Sequence, residues 1–190
     1  MPLRLSIPVQ TADLTAAVRN ARPLTLLFFA VLILPPIPYM NGMDQLHTSP
    51  ITPLAEIIDN CAYLDDWQDR MSYVIELGRK LPEMPEDKRT AENKVQGCAS
   101  QVWLVTHASP AAADPILTFE GESDAHIVRG LVAIVLSIFS GQHASDIIKT
   151  DAIDLFGRMG LIEYLTAQRA NGLRSMIKRI KDEAAQQLAS

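Results

Sequence analysis

Apolar residues recur along this chain in distinct patterns, and each pattern dictates an element. Leu54, Ile57, Ile58, Cys61 and Leu64 fall at helical spacing after Thr52-Pro53, which offers an N-cap and a first-turn proline. Asp65-Asp66 offers a second cap, before Trp67, Met71, Val74, Ile75 and Leu77 or Gly78 on the stripe of a second helix. Pro82 and Pro85 close this region, and the charged stretch Glu83–Glu92 reads as a solvated connector. Ser100–Thr106 (SQVWLVT) and Ile116–Phe119 (ILTF) are then rich in β-branched and aromatic residues. They are separated by a proline- and alanine-rich hairpin loop, His107–Pro115. Lys94–Gln96 reads as a third, very short strand.

From Ser123 the helical pattern returns. Ser123 or Asp124 caps the run Ile127–Phe139, which stops at Gly141 and is apolar nearly all round, the mark of a buried central helix. Arg129 and Gly130 interrupt it, and it is too short to span a membrane. Ser145–Lys149, Ala152–Met159 and Glu163–Leu165 read as short helices. Thr166 caps a final amphipathic helix to about Leu188, with Leu173, Met176, Ile177 and Ile180 inward. Gly172 lies inside that helix at a cost of ~1 kcal/mol relative to Ala, which propensity leaves unexplained. The order of elements predicts an α+β domain with one small antiparallel sheet against several helices.

The N-terminal segment follows none of these patterns. Leu24–Leu34 (LTLLFFAVLIL) is nearly all apolar and is followed by Pro35, Pro36 and Pro38. As a helix it would reach only ~16 Å, against a hydrocarbon core of ~30 Å. Arginines before an apolar run resemble a signal peptide, but no A-x-A-like site follows and the preceding region is long. The reading favoured is an extension over residues 1–42, disordered or upstream of the true start, with the working domain over residues 43–190.

Composition narrows the function. The 190 residues carry a net charge of −5, with three arginines against one aspartate over residues 1–43 and 14 basic against 21 acidic residues over 44–190. An acidic domain has no basic patch to neutralise phosphates, so nucleic acid is not an expected partner. Two cysteines cannot build a disulfide framework and fit a reducing cytoplasm. Walker, dinucleotide-binding and G-x-S-x-G motifs are missing, and His47, His107, His126 and His143 are scattered without zinc spacing.

Cysteine chemistry remains. Cys61 lies on an apolar stripe, where a free thiol behaves as a small hydrophobe. Cys98, after Gly97 in Val95-Gln96-Gly97-Cys98-Ala99-Ser100, lies on a turn between strands. A thiol so placed can reach another sulfur, although one Gly-Cys pair also suits an ordinary half-buried thiol.

The wider pattern is more specific. Asn93 through Leu104 (NKVQGCASQVWL) closely resembles the N-x-V-x-G-C-x-S-x-V-W signature of the SufE family of sulfur acceptor proteins. Trp67–Leu81 (WQDRMSYVIELGRKL), Gly121–Leu131 (GESDAHIVRGL) and Gly160–Ile177 (GLIEYLTAQRANGLRSMI) are similar to three further blocks of that family, in its order. Ala99 departs from the polar residue many relatives carry. The resemblance spans about residues 51–182 and leaves the N-terminal forty residues without a counterpart.

The resemblance implies an α+β fold like that of the IscU scaffold. It implies a sulfur carrier that takes sulfane sulfur from a cysteine desulfurase onto Cys98, stimulates that enzyme and passes the sulfur to an iron–sulfur cluster scaffold. The desulfurase (SufS-like) would carry pyridoxal phosphate, and the chain would need no cofactor or metal of its own. The scaffold would be a SufBCD-like complex. No membrane partner is implied, and the carrier would be a monomer or weak homodimer.

Gly97 and Ala99 would let the loop rearrange, so that Cys98 leans into a pocket and swings out to the desulfurase. Ser100 and Gln101 would join these residues at the partner surface. Arg169 matches the arginine of the C-terminal block and would lie near the loop, or else cap or bridge helices. Ser123-Asp124 caps a helix and could border the partner surface. Two readings from other classes stand beside this one. One is a cysteine-dependent redox or acyl-transfer enzyme, with His107 as the only nearby base. The other is a non-catalytic adaptor or scaffold-like domain.

Overall fold

The apolar run after Ser123 becomes the centre of the fold. In the structure, a computed structural model that describes residues 51–110 and 113–189, every described element lies in one unit spanning His47–Ser190. The anticipated extension over residues 1–42, and the domain start at 43, lie outside the described residues. Along the chain run α1 (Leu54–Tyr63), α2 (Trp67–Lys80), β1 (Val102–Ala108), β2 (Ile116–Ser123), α3 (His126–Phe139) and β3 (Gln142–His143). Then come α4 (Ala144–Lys149), α5 (Ala152–Arg158) and α6 (Ala167–Leu188). Single 3₁₀ turns occupy Glu86–Lys88 and Ile162–Tyr164.

Ten of the 14 residues of α3 are buried, so it is covered on nearly all sides. It is packed by α2 and β2, with α1 and α6 also against it. Two close approaches make this packing work. A Cβ on Gly78 of α2 would come within 2.6 Å of the Gly130 nitrogen, and one on Gly130 would strike the Val74 carbonyl oxygen. A Cβ on Gly121 of β2 would meet Val132 Cγ1 at 2.5 Å. Backbone touches backbone where α2 crosses α3, which only glycine on both helices permits.

The sheet has the order β1-β2-β3 and is antiparallel throughout. Val102 pairs with Ser123 and Ala108 with Leu117. This α+β architecture is the one the hydrophobic pattern predicts, with some corrections in detail. The third strand is Gln142–His143, paired with Ile116 and Leu117. Of the anticipated strand Lys94–Gln96, only Lys94 forms a bridge, to Trp103.

Caps divide in the same way. Asp66 accepts from Gln68 N (2.6 Å) and Thr166 from Arg169 N (3.4 Å), as expected. Pro53, not Thr52, holds the N-cap position of α1, with no side-chain bond. Ala125, not Ser123 or Asp124, precedes α3, and no side chain caps it. Ser123 and Asp124 are committed elsewhere, to the loop that holds Cys98.

The connector Glu83–Glu92 is more than a solvated link. Met84 is buried, and Lys88 pairs with Glu120 (2.7 Å). Arg89 lies over the Trp103 ring, 5.9 Å from its centroid. Beneath this connector Glu122 is 3% exposed. It pairs with Arg129 at 3.2 Å and Arg89 at 3.9 Å, and accepts from Met84 N (3.3 Å) and Ser123 N (2.9 Å). Arg129 also donates to the Leu81 (2.8 Å) and Pro82 (3.3 Å) carbonyls, so one buried carboxylate fixes the connector to α3 and β2. Trp67, expected on an inner face, is instead 48% exposed and stacks on Tyr164, ring centroids 5.9 Å apart.

Candidate functional site at the Cys98 loop

The chain closes a short loop around Cys98 by fixing both of its ends. At the entering end, Asn93–Val95 runs antiparallel to β1, with Val95 N donating to the Val102 carbonyl and Leu104 N to that of Asn93, both at 2.8 Å. At the leaving end, Gln101 N donates to Asp124 Oδ1 (3.0 Å) and Asp124 N returns a bond to the Gln101 carbonyl (3.3 Å). Ser123 Oγ donates to the same carbonyl at 2.8 Å. These bonds explain why neither Ser123 nor Asp124 caps α3. Residues 96–100 are left as the span between two anchored roots.

That span turns inward onto α6. Gly97 has φ +83°, a left-handed conformation that an L side chain rarely adopts, and a Cβ there would meet Ser175 Oγ at 2.8 Å. The turn delivers Cys98 to the middle of α6, where its Sγ donates to the Gly172 carbonyl at 3.5 Å. A Cβ on Gly172 would sit 3.1 Å from that sulfur. The helix glycine that propensity leaves unexplained is therefore the seat of the thiol.

Beside the sulfur is a cavity of about 20 Å³, enough for roughly one water-sized group. Cys98, Val128, Leu131, Leu173 and Met176 give it an apolar lining, and Ala99, Ser100, Gln168 and Arg169 line it as well. The structure thus brings Gly97, Ala99, Ser100 and Arg169 around Cys98. Gln101 is placed differently, as the leaving root of the loop, with its side chain accepting from Lys94 Nζ at 3.4 Å. The Arg169 side chain is exposed and has no hydrogen-bond or ion-pair partner among the described residues. It bridges no helices.

Burial pushes the Cys98 thiol above its ordinary range, so the seated group is a protonated S–H. No basic group offsets that shift. His107 lies at the other end of β1, about 17 Å along the strand from Val102, and bonds Glu120 Oε1 at 2.8 Å. Cys61 is 1% exposed on α1, and burial raises its thiol too, partly offset by Arg70. The two cysteines occupy separate environments, one in the core and one at a loop apex. Among the described residues no group of three or more His, Cys, Asp and Glu side chains could hold a metal ion. Nor is any helix among them long and apolar enough to cross a membrane.

Residues 55–184 match the family model described as "SufE: Fe-S metabolism associated domain". The chain belongs to the SufE family. An uncharacterized SufE-like protein of Rhizobium meliloti (strain 1021) is 72% identical over 134 residues, which is 70% of this chain and 96% of that protein. A second SufE-like protein, from Rhizobium etli (strain ATCC 51251), is 63% identical over 131 residues, 69% of this chain and 88% of its own length. A solution structure of a hypothetical protein from Thermus thermophilus shares the fold. Its TM-score is 0.56 at 17% identity, over 72% of this chain and 96% of that one.

Several site residues carry no signal in the hydrophobic pattern. Gln168 and Ser175 are polar positions on α6, and their contacts with the loop depend on how that helix docks. Gly172 does carry a signal, a helix breaker amid good helix formers, and its meaning emerges only once Cys98 is placed against it. Glu122 resembles a solvated strand residue because the connector that covers it is itself polar.

Proposed function

We propose that the chain is a sulfur carrier in iron–sulfur metabolism, taking sulfane sulfur from a cysteine desulfurase onto Cys98. The observation that supports this best is the seat of Cys98: an apex thiol on a two-rooted loop, beside an apolar cavity sized for about one further atom. In the transfer, the Cys98 thiolate attacks the outer sulfur of the donor's Cys–S–SH. A new S–S bond forms as the donor's S–S bond breaks, and the electron pair leaves with the donor thiolate. Cys98–S–SH then carries the sulfur, with no net oxidation.

The seat suits a cargo that must be shielded. In the pocket the outer sulfur would be screened from reductants by Leu131, Leu173 and Met176. Having no second thiol at the site is useful, since a neighbour would expel the cargo by forming a disulfide. Because burial favours S–H over S⁻, the nucleophile forms when the loop swings out and Cys98 meets water or a partner's basic groups. The unpaired Arg169 guanidinium, with Gln168, Ala99 and Ser100, would face the desulfurase. Pyridoxal phosphate would belong to that enzyme, and a SufBCD-like scaffold would receive the sulfur. Such a carrier works in the cytoplasm, as a monomer or weak homodimer.

The test is peptide mass spectrometry after incubation with a cysteine desulfurase and cysteine. One added sulfur atom on the Cys98 peptide, lost in Cys98→Ser, is the expected result. No added sulfur, or its persistence in Cys98→Ser, would overturn the reading.

A further inference from the structure

Gly172 and Ser175 are not the only residues of α6 that address the loop. One turn beyond Ser175, on the same face, stands Arg179. Its Nε donates to Glu183 Oε1 at 2.7 Å, and its Nη1 donates to the carbonyls of Glu92 at 2.9 Å and Lys94 at 3.2 Å. The second carboxylate oxygen of Glu183 accepts from Thr106 Oγ1 on β1. One guanidinium thereby ties α6 to the strand-like run that enters the Cys98 loop, and Glu183 ties α6 to the strand beside it.

Residue type matters here. A guanidinium is a rigid planar fork with five N–H donors, so it can hold a carboxylate and two carbonyls together. A lysine ammonium is a single point on a flexible stem and cannot span the same three acceptors in one geometry. Arg179 is about three-quarters buried, so its bonds compete with little water. Read along α6, Gly172 seats Cys98, Ser175 abuts Gly97 and Arg179 grips the carbonyls before them.

We infer that Arg179 is a positioning residue for Cys98. It pins the entering root of the loop so that the thiol stays seated on Gly172 and only residues 96–100 move when the loop opens. The leaving root is held independently by Asp124 and Ser123. With Arg179 removed, the entering root rests on its remaining bonds to β1, Val95 N to the Val102 carbonyl and Leu104 N to that of Asn93, so the seat is less favoured and Cys98 spends more time exposed. In a sulfur carrier, as proposed above, Arg179 would thereby control how often the reactive thiol is exposed.

The experiment is site-resolved alkylation of the full chain with iodoacetamide, followed by peptide mass spectrometry, for wild type, Arg179→Ala and Arg179→Lys. Cys61, buried in the core, reports global opening in the same tube. Cys98 is expected to alkylate about tenfold faster in Arg179→Ala, as befits the loss of a charged hydrogen bond, with Arg179→Lys between that and wild type. Cys61 is expected to keep its wild-type rate. An unchanged Cys98 rate, or the same acceleration at both cysteines, would overturn the inference. Should Arg179→Ala fail to fold, a wild-type ratio of the two rates in Arg179→Lys would overturn it as well. No desulfurase enters this assay. A chain that alkylates as expected but never gains sulfur would therefore sink the carrier reading and leave the positioning role standing.

Discussion

The sulfur of Cys98 lies 3.5 Å from the carbonyl oxygen of Gly172, and a methyl group on residue 172 would stand 3.1 Å from that sulfur. Thiol and glycine thus share one seat. Alanine at 172 favours the helix by ~1 kcal/mol and crowds the sulfur at the same time. In Gly172→Ala the thermal midpoint should hold or rise, while Cys98 alkylates faster because it is displaced towards solvent. A lower midpoint with unchanged Cys98 reactivity would mean that the glycine serves only packing.

The crossing of α2 and α3 should behave in the opposite way. A Cβ on Gly130 collides with the backbone of Val74, and one on Gly78 with that of Gly130, so neither clash can be relieved by a side-chain rotation. Gly130→Ala should therefore cost about 3 kcal/mol or more, at the upper end of what overpacking costs. The denaturant midpoint measures it. A shift as small as that of Gly157→Ala, where an added Cβ meets nothing within 4 Å, would contradict so close a crossing.

The reach of the sequence ends where contacts are set by docking. The helices are legible because their apolar stripes hold over several turns, and α6 is capped by Thr166 and ends at Leu188 as its pattern predicts. The third strand is not. Gln142–His143 is two residues long and exists only because it meets the edge of β2 at Ile116 and Leu117. Lys94–Gln96 reads as a strand and Val95 is buried in the structure, but the left-handed Gly97 ends the pairing almost at once. Cys98 is legible through its motif, and Gly172 only as an anomaly. Arg179 gives no hint, since an arginine late in an amphipathic helix is ordinarily a solvated one.

Glu122 offers a third test. Its carboxylate is buried between Arg129 and Arg89, and the Nε atoms of both arginines are buried without a partner among the described residues. Such a cluster has little to spare. Glu122→Ala would leave the Arg129 guanidinium without a carboxylate and Arg89 with only the exposed Glu86 (3.4 Å), and breaking a buried pair costs ~3–5 kcal/mol. Chemical denaturation should show a loss of that size, with Glu122→Gln smaller because its single amide oxygen can still accept from one of Met84 N and Ser123 N, which bond different oxygens of the carboxylate. Equal losses in the two variants would mean that charge, not hydrogen bonding, holds the connector.

Protonation supplies the last test. Burial raises the thiols of Cys98 and Cys61, and burial likewise raises the Tyr73 phenol, against the opposing hydrogen bond from Asn60. The folded state therefore prefers the protonated forms more strongly than the unfolded chain does. As pH rises the unfolded chain releases its protons first. The stability these groups contribute is complete below the ordinary thiol range and is lost as pH climbs through the raised folded values. The denaturant midpoint should fall with rising alkalinity. For Cys98 the consequence is separable by site. Its alkylation rate, followed against pH in the folded chain, should rise at higher pH than the same cysteine shows in denaturant. A folded profile at or below the denatured one would mean that the resting thiol is already activated, contrary to a seat made of Leu131, Leu173, Met176 and a helix carbonyl. The expected profile instead makes opening of the loop the step that creates the nucleophile.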